Sequence, residues 1–136
     1  MPSIYDKFST DADVESKGLV IDYGDGIRLR IARAGGSNKA YLRAVEKLSR
    51  KYRQQIQLDI ISGDESAELF REIYAETIVL GWEGVTDREG KAVPFSRDAC
   101  IKLFEDLPDL FDDVFRQARR MDLFRSFTNE ADAKNS

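Results

Sequence analysis

Histidine is absent from this chain of 136 residues. That absence excludes His-based acid–base catalysis, the Ser-His-Asp and Cys-His nucleophile systems and most zinc sites. Cysteine occurs once, at Cys100, which leaves no intrachain disulfide and no cysteine metal cluster to form. No apolar run approaches the roughly 20 residues that cross a bilayer, so no membrane partner is expected. The first residues, MPSIYDKFSTDADVESKG, have neither a basic start nor an apolar centre. A secretory signal is therefore not expected, and the protein is expected to be soluble and intracellular. The glycines of GDG (Gly24–Gly26) and AGGSN (Ala34–Asn38) lack the spacing and the lysine of phosphate-binding loops.

What is present is an apolar fraction of 42%, enough for one small core, and a net charge of −4 that is unevenly placed. Residues 27–55 carry +8, residues 1–26 carry −4 and residues 56–136 carry −8. A basic stretch of this kind serves a nucleic-acid surface or an acidic partner, or else faces the acidic remainder of its own chain.

Patterning predicts a mainly α fold: a small helical bundle with an N-terminal β-hairpin and a short loop or minimal hairpin between helices. Residues 1–17 are polar and without periodicity, and are expected as a flexible N-terminal arm, mobile or loosely docked. In GLVIDYGDGIRLRIAR, Leu19, Ile21 and Tyr23 alternate onto one face, as do Ile27, Leu29 and Ile31, with Asp25-Gly26 as the turn. Ser37 or Asn38 caps a helix that presents Tyr41, Leu42, Val45, Leu48 and Tyr52, with Arg43, Lys47, Arg50 and Lys51 opposite. Ile56, Leu58 and Ile60 fit a short strand or a continued helix equally well. Ser62 and Glu65 fit a capping box for the next helix, expected to present Leu69, Phe70, Ile73, Tyr74, Thr77, Ile78 and Leu80 and to stop at Gly81. Trp82 and Phe95 are spaced to pack across the base of a turn at Asp87–Gly90, both largely buried. Ser96 caps a helix to Asp106, with Cys100, Ile101 and Phe104 on one side. Pro108 begins another, lined by Leu110, Phe111, Val114, Phe115 and Ala118. Residues 18–125 form a single helical domain, and 126–136 a disordered tail.

Candidate chemistry is sparse. Asp106, Asp109, Asp112 and Asp113 cluster around Pro108, as metal ligands or as the solvated start of a helix; the second reading fits helix dipole and face, with Asp112 and Asp113 turned away from the core. Cys100 lies on an apolar face without a partner base and reads as a structural thiol. Trp82 serves as core or as a partner anchor. No catalytic, cofactor or metal site is expected, and the chain is not expected to be an enzyme.

The stretch ETIVLGWEGVTDREGKAVPFSRDACIKLFEDLPDLFDDVF resembles the C-terminal half of the tail assembly chaperones of long-tailed bacteriophages and prophages. It carries a helix ending in W-x-G (Trp82 to Gly84), a polar turn with Gly90, a VPFS segment (Val93 to Ser96) and an acidic-aromatic helix from Leu103. Upstream, a G-x-V strand, the IARAG segment (Ile31 to Gly35) and the basic helix from Tyr41 are also similar, so that the resemblance covers residues 18–125. It implies a non-enzymatic role in the bacterial host cytoplasm: coating the tape measure protein before the tail tube forms, recruiting tail tube subunits, and leaving before the virion is mature. Arg43, Lys47, Arg50, Tyr74 and Trp82 are the residues expected to meet the partner, with self-association a further expectation. In that family a ribosomal frameshift often adds a longer form. Codons GCA, AAA and AAY at Ala133, Lys134 and Asn135 would supply a slippery heptamer. The alternatives are another virion-assembly adaptor, such as a head–tail joining protein, or a nucleic-acid-binding regulator using residues 27–55; nucleic acid is the less expected partner.

Overall fold

A computed structural model of the protein describes residues 3–53 and 63–124. The architecture is mainly helical, with one small antiparallel sheet, as the patterning predicts. The strand-or-helix choice at 56–61, the Ser62 cap, residues 126–136 and the candidate frameshift point at 133–135 lie outside the described residues.

The hairpin forms where alternation places it. Strands β1 (Leu19–Asp22) and β2 (Arg28–Ile31) pair antiparallel, with Leu19 opposite Ile31 and Ile21 opposite Leu29. Asp25 closes the turn at φ 55°, and the Asp22 carboxylate accepts from the Gly24 N–H at 2.8 Å. Leu29 and Ile31 point into the core, while Arg28 and Arg30 stay outside.

Helix α3 (Lys39–Lys51) is capped by Asn38, whose Oδ1 accepts from the Tyr41 N–H. Helix α4 (Gly63–Thr77) follows. Its expected course to Leu80 and the stop at Gly81 are corrected by the structure. The helix ends at Thr77, and Val79–Glu83 is strand β3, which pairs antiparallel with β2 and completes a three-stranded sheet in the order β1-β2-β3. Without β3, the backbone donors and acceptors of β2 would be left as an open edge beside the core, and pairing them outweighs one further helical turn. Ile31 pairs with Val79 and Arg30 with Gly81, so Leu80 is the extra residue of a β-bulge and is left exposed.

Beyond β3 the chain makes the minimal hairpin expected. Thr86 bridges Ala92, Val93 N–H donates to the Val85 carbonyl at 2.9 Å, and Asp87 Oδ1 accepts from the N–H groups of Glu89 and Lys91. Gly84 sits at φ 72° with its α-carbon packed over the Gly26 carbonyl, where any Cβ would collide with backbone. The W-x-G unit thus ends in glycine for a steric reason. Helix α5 (Arg97–Asp106) is capped by Ser96, and α6 (Pro108–Ala118) begins on Pro108. A single 3-10 turn, Met121–Phe124, follows and buries Phe124.

The core lies where the sheet meets α4, α5 and α6, around Leu29, Ile31, Ile78, Cys100, Phe104 and Val114. Tyr74 is its centre. Its ring is stacked on Phe115 at 5.2 Å and edge-on to Phe111 at 5.5 Å and Tyr41 at 5.9 Å.

The first residues hold more structure than a loose arm. They form two short helices, α1 (Ile4–Phe8) and α2 (Ala12–Lys17). A Ser3–Asp6 capping box opens α1, all of whose residues are exposed. Helix α2 is docked: Glu15 is 3% exposed, paired with Arg33, and accepts from the Ser37 hydroxyl at 2.8 Å and the Ser37 N–H at 3.2 Å. Burial pushes the Glu15 carboxyl up, but the bonds from Arg33, Ser37 and Thr10 outweigh it and hold its pKa below the ordinary carboxylate value.

A candidate partner-binding groove

Helices α3 and α4 run antiparallel. Asn38, at the start of α3, donates from Nδ2 to the Thr77 carbonyl at the end of α4, at 3.2 Å. Between them runs an open groove of about 920 Å³. Its apolar surface comes from Ala44 and Leu48 on one helix and Leu69 and Ile73 on the other. The α3 wall carries Arg43, Lys47 and Lys51, and the α4 wall carries Glu68, Glu72 and Glu76. Both triplets step by four residues, so each forms a ladder along one helix face at about 6 Å per rung. The basic segment therefore does face acidic residues of its own chain, although the two ladders do not close on each other. Arg43, Lys47, Glu68 and Glu72 form no ion pair among the described residues, and Glu76 pairs instead with Arg97 of α5 at 3.8 Å.

Of the residues expected at a partner surface, Arg43 and Lys47 line this groove. Arg50 is exposed on the same helix but does not line it; Lys51, one position on, does. Tyr74 corrects the expectation: at 0% exposure it belongs to the core and reaches no surface. Burial, and then the neighbouring Tyr41, hold its hydroxyl pKa above the ordinary tyrosine value. Trp82 is partly buried and packs against the core. It clamps its own loop, with Nε1–H donating to the Val93 carbonyl at 2.8 Å and its ring edge-on to Phe95 at 5.0 Å. The only sequence signal of the acidic wall is the four-residue spacing of Glu68, Glu72 and Glu76, which by itself marks no site.

The aspartates around Pro108 are dispersed by local pairing. Lys102 bonds Asp106 at 2.8 Å and holds its carboxyl below the usual range. Asp113 is not turned to solvent as expected. It accepts from the Tyr23 hydroxyl at 2.6 Å and from Arg116 at 3.2 Å, which turns it toward the hairpin. No group of His, Cys, Asp or Glu among the described residues is arranged to hold a metal ion. Cys100 is buried, and burial pushes its thiol up to about 12, which suits a structural role rather than a nucleophile. No helix among the described residues is long and apolar enough to cross a membrane.

Fold and groove together define a small helical protein with one long, bipolar cleft built on α3 and α4. A family model described as YdaY prophage protein matches residues 36–135, a span that takes in the whole groove. The chain belongs to this family and is a prophage protein. Neither a curated protein nor a solved structure matches it.

Proposed function

We propose that the protein is a non-enzymatic phage tail assembly chaperone, which holds the tape measure protein in the host cytoplasm and helps recruit tail tube subunits around it. The observation that carries this reading is the groove between α3 and α4, lined by apolar residues of both helices and by basic residues of α3 and acidic residues of α4. A tape measure protein before assembly is a long helix with exposed apolar stripes, and a groove of this form suits helix-in-groove packing. Membership of a prophage family agrees with such a role. In this reading the chaperone is absent from the mature virion, and a frameshift at Ala133–Asn135 adds a longer form that shares the groove.

The test is co-expression with the tape measure protein of the same prophage. Soluble tape measure protein should increase, and the two should co-purify. No gain in solubility, together with salt-sensitive retardation of DNA by the protein alone, would instead favour a nucleic-acid-binding regulator. Neighbouring genes give an independent check: a tube gene upstream and a very long tape measure gene downstream are expected.

A further inference from the structure

The groove has a polarity across its width. One wall is basic and the other acidic over at least two successive rungs, and these charges face the opening without neutralising each other. Where water reaches these charges it screens them, and the attraction between the walls is weak. An occupant that excludes this water strengthens the Coulomb attraction but desolvates each charge, a cost that is offset only where its own charges match both sides. A polyanion such as DNA meets Arg43, Lys47 and Lys51 but is repelled by Glu68 and Glu72 a groove's width away. An amphipathic helix with one charge sign on both flanks meets the same conflict.

We infer that the groove takes one amphipathic helix bearing acidic side chains along one flank of its apolar ridge and basic side chains along the other. The transverse polarity also fixes direction. Turning such a helix end for end exchanges its flanks, so only one orientation places acid against α3 and base against α4. The groove thereby reads the direction of the chain it holds. The inference rests on the groove reading above and adds to it the charge layout and orientation of the bound segment.

The test uses the full chain and synthetic, fluorescently labelled peptides of about 14 residues, enough to span the roughly 20 Å of α3. Each has the same Leu/Ala ridge, with Glu on one flank and Lys on the other, Glu on both, Lys on both, or Gln on both. Anisotropy titrations should show the mixed-flank peptide binding about tenfold more tightly than the other three. Reversing one wall (Arg43→Glu, Lys47→Glu and Lys51→Glu, or Glu68→Lys and Glu72→Lys) should remove that advantage. Reversing both should restore it. Gln at the same positions supplies a milder set of variants where reversal disturbs folding.

Direction is read by Ala40→Cys, an exposed position at one end of the groove, since the native Cys100 is buried and stays silent. A peptide with a terminal cysteine should form a disulfide with Ala40→Cys from one end only, and from the opposite end once both walls are reversed. Equal binding by the Gln-flanked peptide, equal cross-linking from both ends, or no peptide binding at all would overturn the inference. So would DNA binding lost on reversal of the α3 wall alone, or self-association through the groove seen as a doubled mass that charge reversal abolishes. Peptide binding with this pattern but no solubilisation of the tape measure protein would retain the groove inference and remove the chaperone reading. Solubilisation that survives Gln at both walls would do the reverse.

Discussion

The Tyr23 hydroxyl donates to Asp113 Oδ2 at 2.6 Å, joining the hairpin to helix α6 across 90 positions of sequence. Burial first, and then this carboxylate, raise the Tyr23 pKa above its ordinary 10.0, and Tyr74 is raised chiefly by burial. A folded-state pKa raised above the unfolded value gives stability that is complete below the unfolded pKa and lost as pH rises through the folded one. Cys100, raised by burial from an ordinary 9.0, acts in the same direction, so urea midpoints are expected to hold level to about pH 9 and to fall above it. Tyr23→Phe should cost about 1 kcal/mol at neutral pH, because the bond to a charged acceptor is lost at a partly exposed site.

Glu15 gives the opposite dependence. Its pKa is held below the ordinary 4.5, so its stabilising effect is present above that value and disappears as pH falls through the folded pKa. Glu15→Gln should cost about 3 kcal/mol, since Arg33 is left without its carboxylate in a largely buried place. The same variant should flatten the acid limb of the stability profile. An unchanged acid limb in denaturant melts at pH 3 to 6 would show that the docking of α2 does not depend on this pair.

Trp82 closes its own loop through Val93 and Phe95. Trp82→Ala should cost about 2–4 kcal/mol, below the figure for a fully buried aromatic because the residue is only partly buried. Trp82→Phe should cost about 1 kcal/mol, keeping the ring contact and losing the bond to the carbonyl. Thermal melts measure both, and peptide binding at the groove should be unaltered in either. A Trp82→Ala variant of undiminished stability would return Trp82 to the role of partner anchor.

The Tyr74 hydroxyl is buried, with the Tyr41 hydroxyl beside it but no hydrogen bond of good geometry among the described residues. Tyr74→Phe removes a desolvated polar atom and leaves the aromatic packing in place. Stability should be unchanged or rise by up to about 1 kcal/mol, whereas Tyr74→Ala should cost about 3–5 kcal/mol. A loss above about 1 kcal/mol in Tyr74→Phe would mean that the hydroxyl is satisfied after all.

Local chemistry determined much of this protein by itself. Alternation set the hairpin and its inward face, Asp25 and Gly26 set its turn, and Asn38, Ser96 and Pro108 set the starts of α3, α5 and α6, because each acts through neighbours a few residues away. The tertiary structure decided what depended on distant partners. Val79 and Leu80 read as the end of a helix stopped by Gly81, since so short an apolar run carries no period of its own, and the unpaired edge of β2 made Val79–Glu83 a strand. Asp113 and Glu15 read as solvated acids until Tyr23 and Arg33 were brought to them. The ladders of α3 and α4 were each visible in the sequence, but their opposition across one groove was not, because the packing of two helices fixes which faces meet.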